Sequence, residues 1–262
     1  MGRRTQNGQC HLCLTEGPLS FEHIPPKSAF NDRPVHVKEF DDLIVDNRVV
    51  DDGKPGRKQQ RGAGKFSLCA KCNNKTGSWY GDAYKTWAIQ GLRHCEHATT
   101  APSLAFNFQI FPLRVIKQIA CMLVSINSPG SLKSNFELRR FVLDKERRFL
   151  PDDLRIYAYH TRSRRIRMTG YAAQLDMNSL RIRGYGEISY YPWGYLFCFD
   201  GAEPPPAYLV DITNFSTYRY HDWKEISFRA PVLPIETMYP ADYRSKDQVE
   251  AAVKSNLRNS DK

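Results

Sequence analysis

The hydrophobic pattern changes character about two-fifths of the way along the chain. Before residue 100, apolar positions come in short groups set among polar, Gly-rich and Cys-rich stretches. Residues 19–24 read as a short strand, stopped by Pro25-Pro26. Tyr80, Ala83, Tyr84, Trp87 and Ala88 recur at helical spacing and predict a helix over about 73–92. Residues 41–64 between them are polar, and the Gly- and Lys-rich stretch 53–64 reads as a mobile loop. After residue 101 the apolar runs lengthen. Pro112 opens a buried helix that carries Leu113, Ile116, Ile119, Ala120, Leu123 and Ile126 and stops before Pro129-Gly130. A shorter helix is predicted at 136–143. Residues 154–220 turn to β-branched and aromatic types with turn signals, the pattern of several antiparallel strands. An amphipathic helix at 245–257 closes the pattern, with Ser245 and Gln248 as a capping box and Glu250–Lys254 as an i,i+4 pair. The expected class is α+β, in two regions, 1–100 and 101–262.

Composition narrows the function classes. With 41% hydrophobic and 12% aromatic residues among 262, a large core is possible and wholesale disorder is excluded. Seven Cys, an odd and modest number, argue against a disulfide framework. No apolar run approaches the roughly 20 residues of a membrane span, and the first residues carry no hydrophobic leader. The expectation is a cytoplasmic protein with reduced thiols and no membrane partner. The net charge of +10 favours a polyanion, and its distribution is uneven: +4 over residues 1–100, +7 over 101–200 and −1 over 201–262.

The cysteines supply the first chemistry. Cys10-His-Leu-Cys13 and Cys69-Ala-Lys-Cys72 are two C-x-x-C knuckles, and two such knuckles make a four-thiolate zinc site. Joining them closes a long loop at a cost of about 3–4 kcal/mol. Structural zinc returns about 10–16 kcal/mol in apparent terms. Cys95, Cys121 and Cys198 are lone thiols, the last two expected in the core. Arg93-His94-Cys95-Glu96-His97 reads as a helix C-terminus, with His favouring the dipole.

Between the knuckles, Glu22-His23 ends the predicted strand and Asn73 follows Cys72 directly. Folding the knuckles together would bring these three residues close in space. A carboxylate, an imidazole and an amide oxygen suit phosphodiester hydrolysis. A neutral His accepts a proton near pH 7, a hard cation on oxygen ligands relieves phosphate charge, and a helix N-terminus favours an anion. A P-loop is excluded, because no Gly stands five positions before Gly64 and Phe66 occupies the Ser/Thr position.

The ordered set C-x-x-C, Glu22-His23-Ile24-x-Pro26-type text and C-x-x-C-Asn73 resembles the HNH endonucleases, the ββα-metal or His-Me finger nucleases, over roughly residues 10–92. The resemblance implies a zinc-stapled ββα-metal domain. It implies a Mg2+ or Mn2+ ion on Glu22 and Asn73, with His23 as general base and Asn74 as the rival metal ligand. It also implies a DNA-cleaving activity, such as that of a bacterial restriction or anti-phage effector. The family's middle Asn has no counterpart in residues 62–68, where Gln60, Arg61 and Lys65 are the nearby replacements.

The second region adds Arg. Seven Arg stand between residues 155 and 183 against one acid, Asp176. Alternation places Ile166 and Met168 on one face and Arg165 and Arg167 on the other. It likewise sets Leu180 and Ile182 against Arg181, Arg183 and Tyr185. Outward Arg165, Arg167, Arg181 and Arg183 would form a sheet face for a phosphate backbone. The expected partner is nucleic acid, double-stranded DNA first, with a second copy or a regulatory protein also open. The alternative function is a non-catalytic zinc module that binds nucleic acid.

Overall fold

A computed structural model of the chain describes residues 6–39, 44–45, 48–49, 56–97, 100–131, 135–176, 181–204 and 208–260. The first part runs β1 (Gln6–Gln9), β2 (Glu16–His23), β3 (Val35–Val37), β4 (Ile44–Val45), β5 (Arg48–Val49), β6 (Arg57–Gln59), β7 (Gly64–Cys69) and α1 (Ala70–His97). β1, β2 and β7 form one antiparallel sheet. β6 pairs with β3, so part of the stretch expected to be a loop is a strand; its residues 53–55 lie outside the described residues. α1 starts straight from β7, earlier than expected, which puts the second knuckle at a strand-to-helix turn.

The second part runs β8 (Ser103–Ile110), α2 (Pro112–Ile126), α3 (Asn135–Leu143), β9 (Leu154–His160), β10 (Arg167–Asp176), β11 (Arg181–Tyr190), β12 (Trp193–Phe199), β13 (Val210–Asp211), β14 (Lys224–Pro231) and α4 (Lys246–Ser260). The order β10-β11-β12-β9-β13 makes a five-stranded antiparallel sheet, and β14 pairs with β8. The protein is therefore a mixture of helices and antiparallel sheets. The capping box at α4 forms as expected: Ser245 N donates to Gln248 Oε1 at 2.8 Å and Gln248 N to Ser245 Oγ at 3.3 Å. Glu250 pairs with Lys246 at 3.9 Å.

One core joins the two parts. α2 is apolar nearly all round and buried nearly all round, as a helix at the centre of a domain should be. It packs against α1, α3 and β7. α1 buries Tyr80, Tyr84, Trp87, Gly91 and Cys95 at helical spacing. Trp87 stacks on Trp193 of β12 at 4.1 Å, with the rings 9° from parallel. A Cβ on Gly91 would stand 2.3 Å from the Trp193 ring, so this close approach requires glycine. β12 is buried along its whole length, between β11 and β9. Cys121 and Cys198 are core residues, as expected. Among the described residues no helix is long and apolar enough to cross a membrane.

Candidate functional site

The two knuckles meet. The sulfurs of Cys10, Cys13, Cys69 and Cys72 all lie within 4.8 Å of one another, and Cys13 Sγ is 3.8 Å from Cys69 Sγ. Four sulfurs at tetrahedral corners about 2.3 Å from a zinc ion would be about 3.8 Å apart, so the set fits a tetrahedral metal ion. Local backbone builds the pocket. Leu14 takes a left-handed φ of 62°, its N–H bonds Cys10 O at 2.8 Å, and Cys69 N–H points at Cys10 Sγ at 3.3 Å. The proximity of Cys72 pulls the Cys10 thiol down to about 4, while the Cys72 thiol is pushed up by its bond to Cys10. His11, inside the first knuckle, is buried against α2 with Nδ1 3.3 Å from Val124 O.

The second knuckle delivers Asn73 in the first turn of α1. Its Nδ2 donates to Ser20 Oγ at 3.0 Å and to Phe21 O at 3.3 Å. Ser20 Oγ donates in turn to Leu68 O at 2.8 Å. The β2–β7 register shifts between Ser20 and Phe21, leaving Ser67 as the extra residue, and its carbonyl accepts His11 N–H at 2.9 Å. The bulge thus ties strand, knuckle and helix start together. With the Asn73 amide nitrogen engaged, Oδ1 is the atom left to act as a ligand.

His23 and Asn73 line one groove of about 540 Å³, together with Ser20, Phe21, Arg61, Phe66 and Asn74. His23 is half-buried, its ring edge-on to Phe21 at 5.1 Å. Burial, and then the charges of Lys27 and Arg61, lower its pKa against an opposing hydrogen bond to the Arg61 backbone. The imidazole is therefore neutral at pH 7. The exposed Arg61 guanidinium lies about 6 Å from both the Phe21 and Phe66 rings.

Glu22 is not among the groove-lining residues. It is 6% exposed and falls between Phe21 and His23, whose rings touch on the other side of the strand. Burial pushes its carboxyl up to about 8. Among the described residues no donor is paired with it. Burial without a partner favours the protonated, uncharged carboxyl.

The segment after His23 is held by a residue the sequence does not single out. Asn31 is fully buried, donates to Pro25 O and Ala63 O at 2.7 Å each, and accepts Ala63 N–H at 2.6 Å. Ile24 N–H adds a bond to Ala63 O at 3.0 Å. Gly64, opposite His23, has φ 150°, and a Cβ there would sit 2.0 Å from Glu22 O. Asn31 thus fastens the segment after His23 to the segment before β7. Only its burial partners, 32 residues away, identify it.

The four arginines do not form the expected face. Arg165 is exposed but precedes β10, and its N–H bonds Ser163 Oγ at 3.1 Å. Arg167 is buried: NH1 meets Glu187 Oε2 at 2.7 Å, and the other guanidinium nitrogens donate to Thr237 O and Asp242 O. The alternation is correct, but the face opposite Met168 is covered by the segment around 235–243. Arg181 stands opposite Asp176 in the register, its side chain outside the described residues. Arg183 is half-buried, whereas Ile182, expected inside, is 69% exposed and Tyr185, expected outside, is buried. The register shift between Thr169 and Ala172 falls between the two Arg clusters. His94 stacks on Phe106 at 3.8 Å and Cys95 faces His160 at 3.5 Å, both as packing residues of the α1 end. Compared with family models, with curated proteins and with solved structures, the chain matches none.

Proposed function

We propose that the chain is a divalent-cation-dependent endonuclease that hydrolyses phosphodiester bonds in DNA, with β2, β7 and α1 as a ββα-metal unit stapled by zinc on Cys10, Cys13, Cys69 and Cys72. The observation that carries the reading is the groove that collects His23, Asn73 and Arg61 beside the four-cysteine cluster. The zinc fixes the turn from which Asn73 projects, and four thiolates leave it no open position for catalysis.

In this reading His23 takes a proton from the attacking water. Burial and the nearby charges of Lys27 and Arg61 favour the neutral imidazole that can accept this proton. Asn73 Oδ1 and the Glu22 carboxylate would hold a Mg2+ or Mn2+ ion. When bound, the ion neutralises charge on the phosphate and the leaving oxygen. Arg61 offers its planar guanidinium to a phosphate oxygen pair, and the first turn of α1 adds backbone N–H groups. Asn31 keeps the His23 loop in place.

The test is plasmid nicking by the purified chain with Mg2+ or Mn2+, with His23→Ala as the control. Wild type should nick, and the variant should lose activity at least 100-fold while keeping its melting temperature. Glu22 favours a second reading, a non-catalytic zinc module that binds nucleic acid, because its carboxylate stands outside the groove lining. DNA binding with no cleavage under any divalent cation would select that reading.

A further inference from the structure

The surface built by α3, the turn after it and the loop before β14 gathers cations over aromatic rings. Arg140 lies over Phe136 at 5.4 Å, Arg148 over Phe149 at 4.9 Å, and Arg114 and Lys145 over Tyr220 at 4.1 and 5.0 Å. With Lys75 over Trp79, Arg114 over Phe111 and Arg139 over Phe136, seven such pairs share this region. The pieces are continuous: Arg147 pairs with Glu137, Arg148 donates to Thr217 O, and Tyr220 Oη donates to Trp79 O at 3.0 Å. The surface also reaches the groove. Lys75, next in sequence to Asn74, donates to Leu143 O at the end of α3, 3.4 Å away.

Phe136 and Phe149 are each 59% exposed, although phenylalanine gains most from burial. Packing inside the chain does not explain them. An apolar protein partner is a poor occupant, because each ring has a guanidinium beside it that such an interface would have to strip of water. A duplex keeps its base faces stacked on one another. Unpaired bases have open π-faces for the rings and phosphates for the Arg side chains. Arg140 also pairs with Glu137 at 3.6 Å, an exposed contact that exchanges readily for phosphate.

We propose that this surface binds single-stranded DNA, with bases stacked on Phe136 and Phe149 and phosphates on Arg140 and Arg148, and that it feeds a frayed or unpaired strand to the groove. The proposal deepens the nuclease reading but is tested by binding alone. Fluorescence anisotropy with labelled oligo(dT), and with a duplex of the same length, is measured on the full chain carrying His23→Ala, without added divalent cation. Oligo(dT) should bind tighter than duplex. Phe136→Leu/Phe149→Leu, which keeps apolar bulk but removes the rings, should weaken oligo(dT) at least fivefold. Arg140→Ala/Arg148→Ala should reduce the slope of log affinity against log salt by about 1.4. Circular dichroism confirms that both variants fold.

Unchanged oligo(dT) affinity in both folded variants overturns the proposal. So does tighter duplex binding that the Leu pair leaves intact. Variants that bind as well as their His23→Ala parent, while the wild-type chain nicks plasmid, remove this proposal and leave the nuclease reading standing. Loss of oligo(dT) binding in a chain that never nicks does the reverse.

Discussion

Two buried glutamates divide the molecule. Glu22, on β2 beside the candidate groove, has no donor among the described residues, and burial pushes its carboxyl up to about 8. Glu187, on β11, is fully buried and surrounded: Arg167 NH1 and Ala241 N–H meet Oε2 at 2.7 and 2.8 Å, and Tyr159 Oη donates to Oε1. The same side chain at the same depth is completed by the fold in one region and left open in the other. Burying a charge is tolerable when it is paired and hydrogen-bonded. Glu187 therefore locks the segment around 235–243 onto the five-stranded sheet. Glu22, without such partners, favours its protonated form instead.

The largest expected effect concerns the region around Glu22. Removing metal from the four cysteines, with a chelator or by Cys72→Ser, should unfold it. The apparent contribution of a structural zinc is about 10–16 kcal/mol, more than a domain's whole stability. Elemental analysis should find one zinc per folded chain, and a folded, metal-free chain would remove zinc from the account. Next in size, Arg167→Met should cost about 3–5 kcal/mol in denaturant unfolding, because Glu187 is left buried and unpaired. The double change Arg167→Met/Glu187→Met should recover most of that loss. A single variant as stable as wild type would mean that Glu187 is less committed than its contacts indicate.

Glu22→Gln should act with the opposite sign. Burial moves the folded carboxyl up to about 8, against about 4.5 for the solvated group of the unfolded chain. The folded state thus holds its proton over the intervening range. The contribution of Glu22 to stability is complete below pH 4.5 and is lost as pH rises through 8. Gln does not titrate, so without divalent cation the variant should gain on wild type across that window. The gap should be on the order of 4 kcal/mol at pH 8. Divalent cation should close the gap by stabilising wild type alone, and nicking by the variant should fall at least 100-fold. Equal melting curves at pH 5 and pH 8 would place Glu22 in the same class as Glu187.

Much of this contrast was legible in the sequence, and the illegible part has a common cause. The C-x-x-C pairs, α2, α3 and the Ser245–Gln248 cap are local patterns, written within a few residues, and the structure contains them. The proximity of His23 and Asn73 was legible too, because each adjoins an element end that a knuckle or a proline fixes. Alternation correctly set Arg167 opposite Met168, but a period of two names faces without saying what covers them. The segment that covers Arg167 lies about 70 residues on. β8 has a clean alternation of Leu104, Phe106, Phe108 and Ile110, yet its partner β14 is more than 110 residues away. Asn31 looks like any loop asparagine until Ala63 is beside it.

Asn31 gives the smallest expected effect and the finest distinction. Unlike Glu22 it is completely satisfied, by three bonds of 2.6–2.7 Å, although it lies in the same region. Asn31→Ala strands the buried Ala63 N–H and frees the carbonyls of Pro25 and Ala63. Leaving one buried donor unmet costs about 1–3 kcal/mol, so the fold should survive with a modestly lower melting temperature. The geometric consequence falls on His23, which pairs with Gly64 beside the Ala63 that Asn31 anchors. A misplaced base slows the chemical step without touching the cation ligands. Nicking by Asn31→Ala should therefore slow about tenfold in turnover, while half-saturation by Mg2+ stays where it is in wild type. Glu22→Gln should move both. If Asn31→Ala instead shifted the Mg2+ requirement, the region's satisfied and unsatisfied polar groups would form one coupled unit. The contrast with Glu187 would then belong to the whole β2–β7–α1 region and not to Glu22 alone.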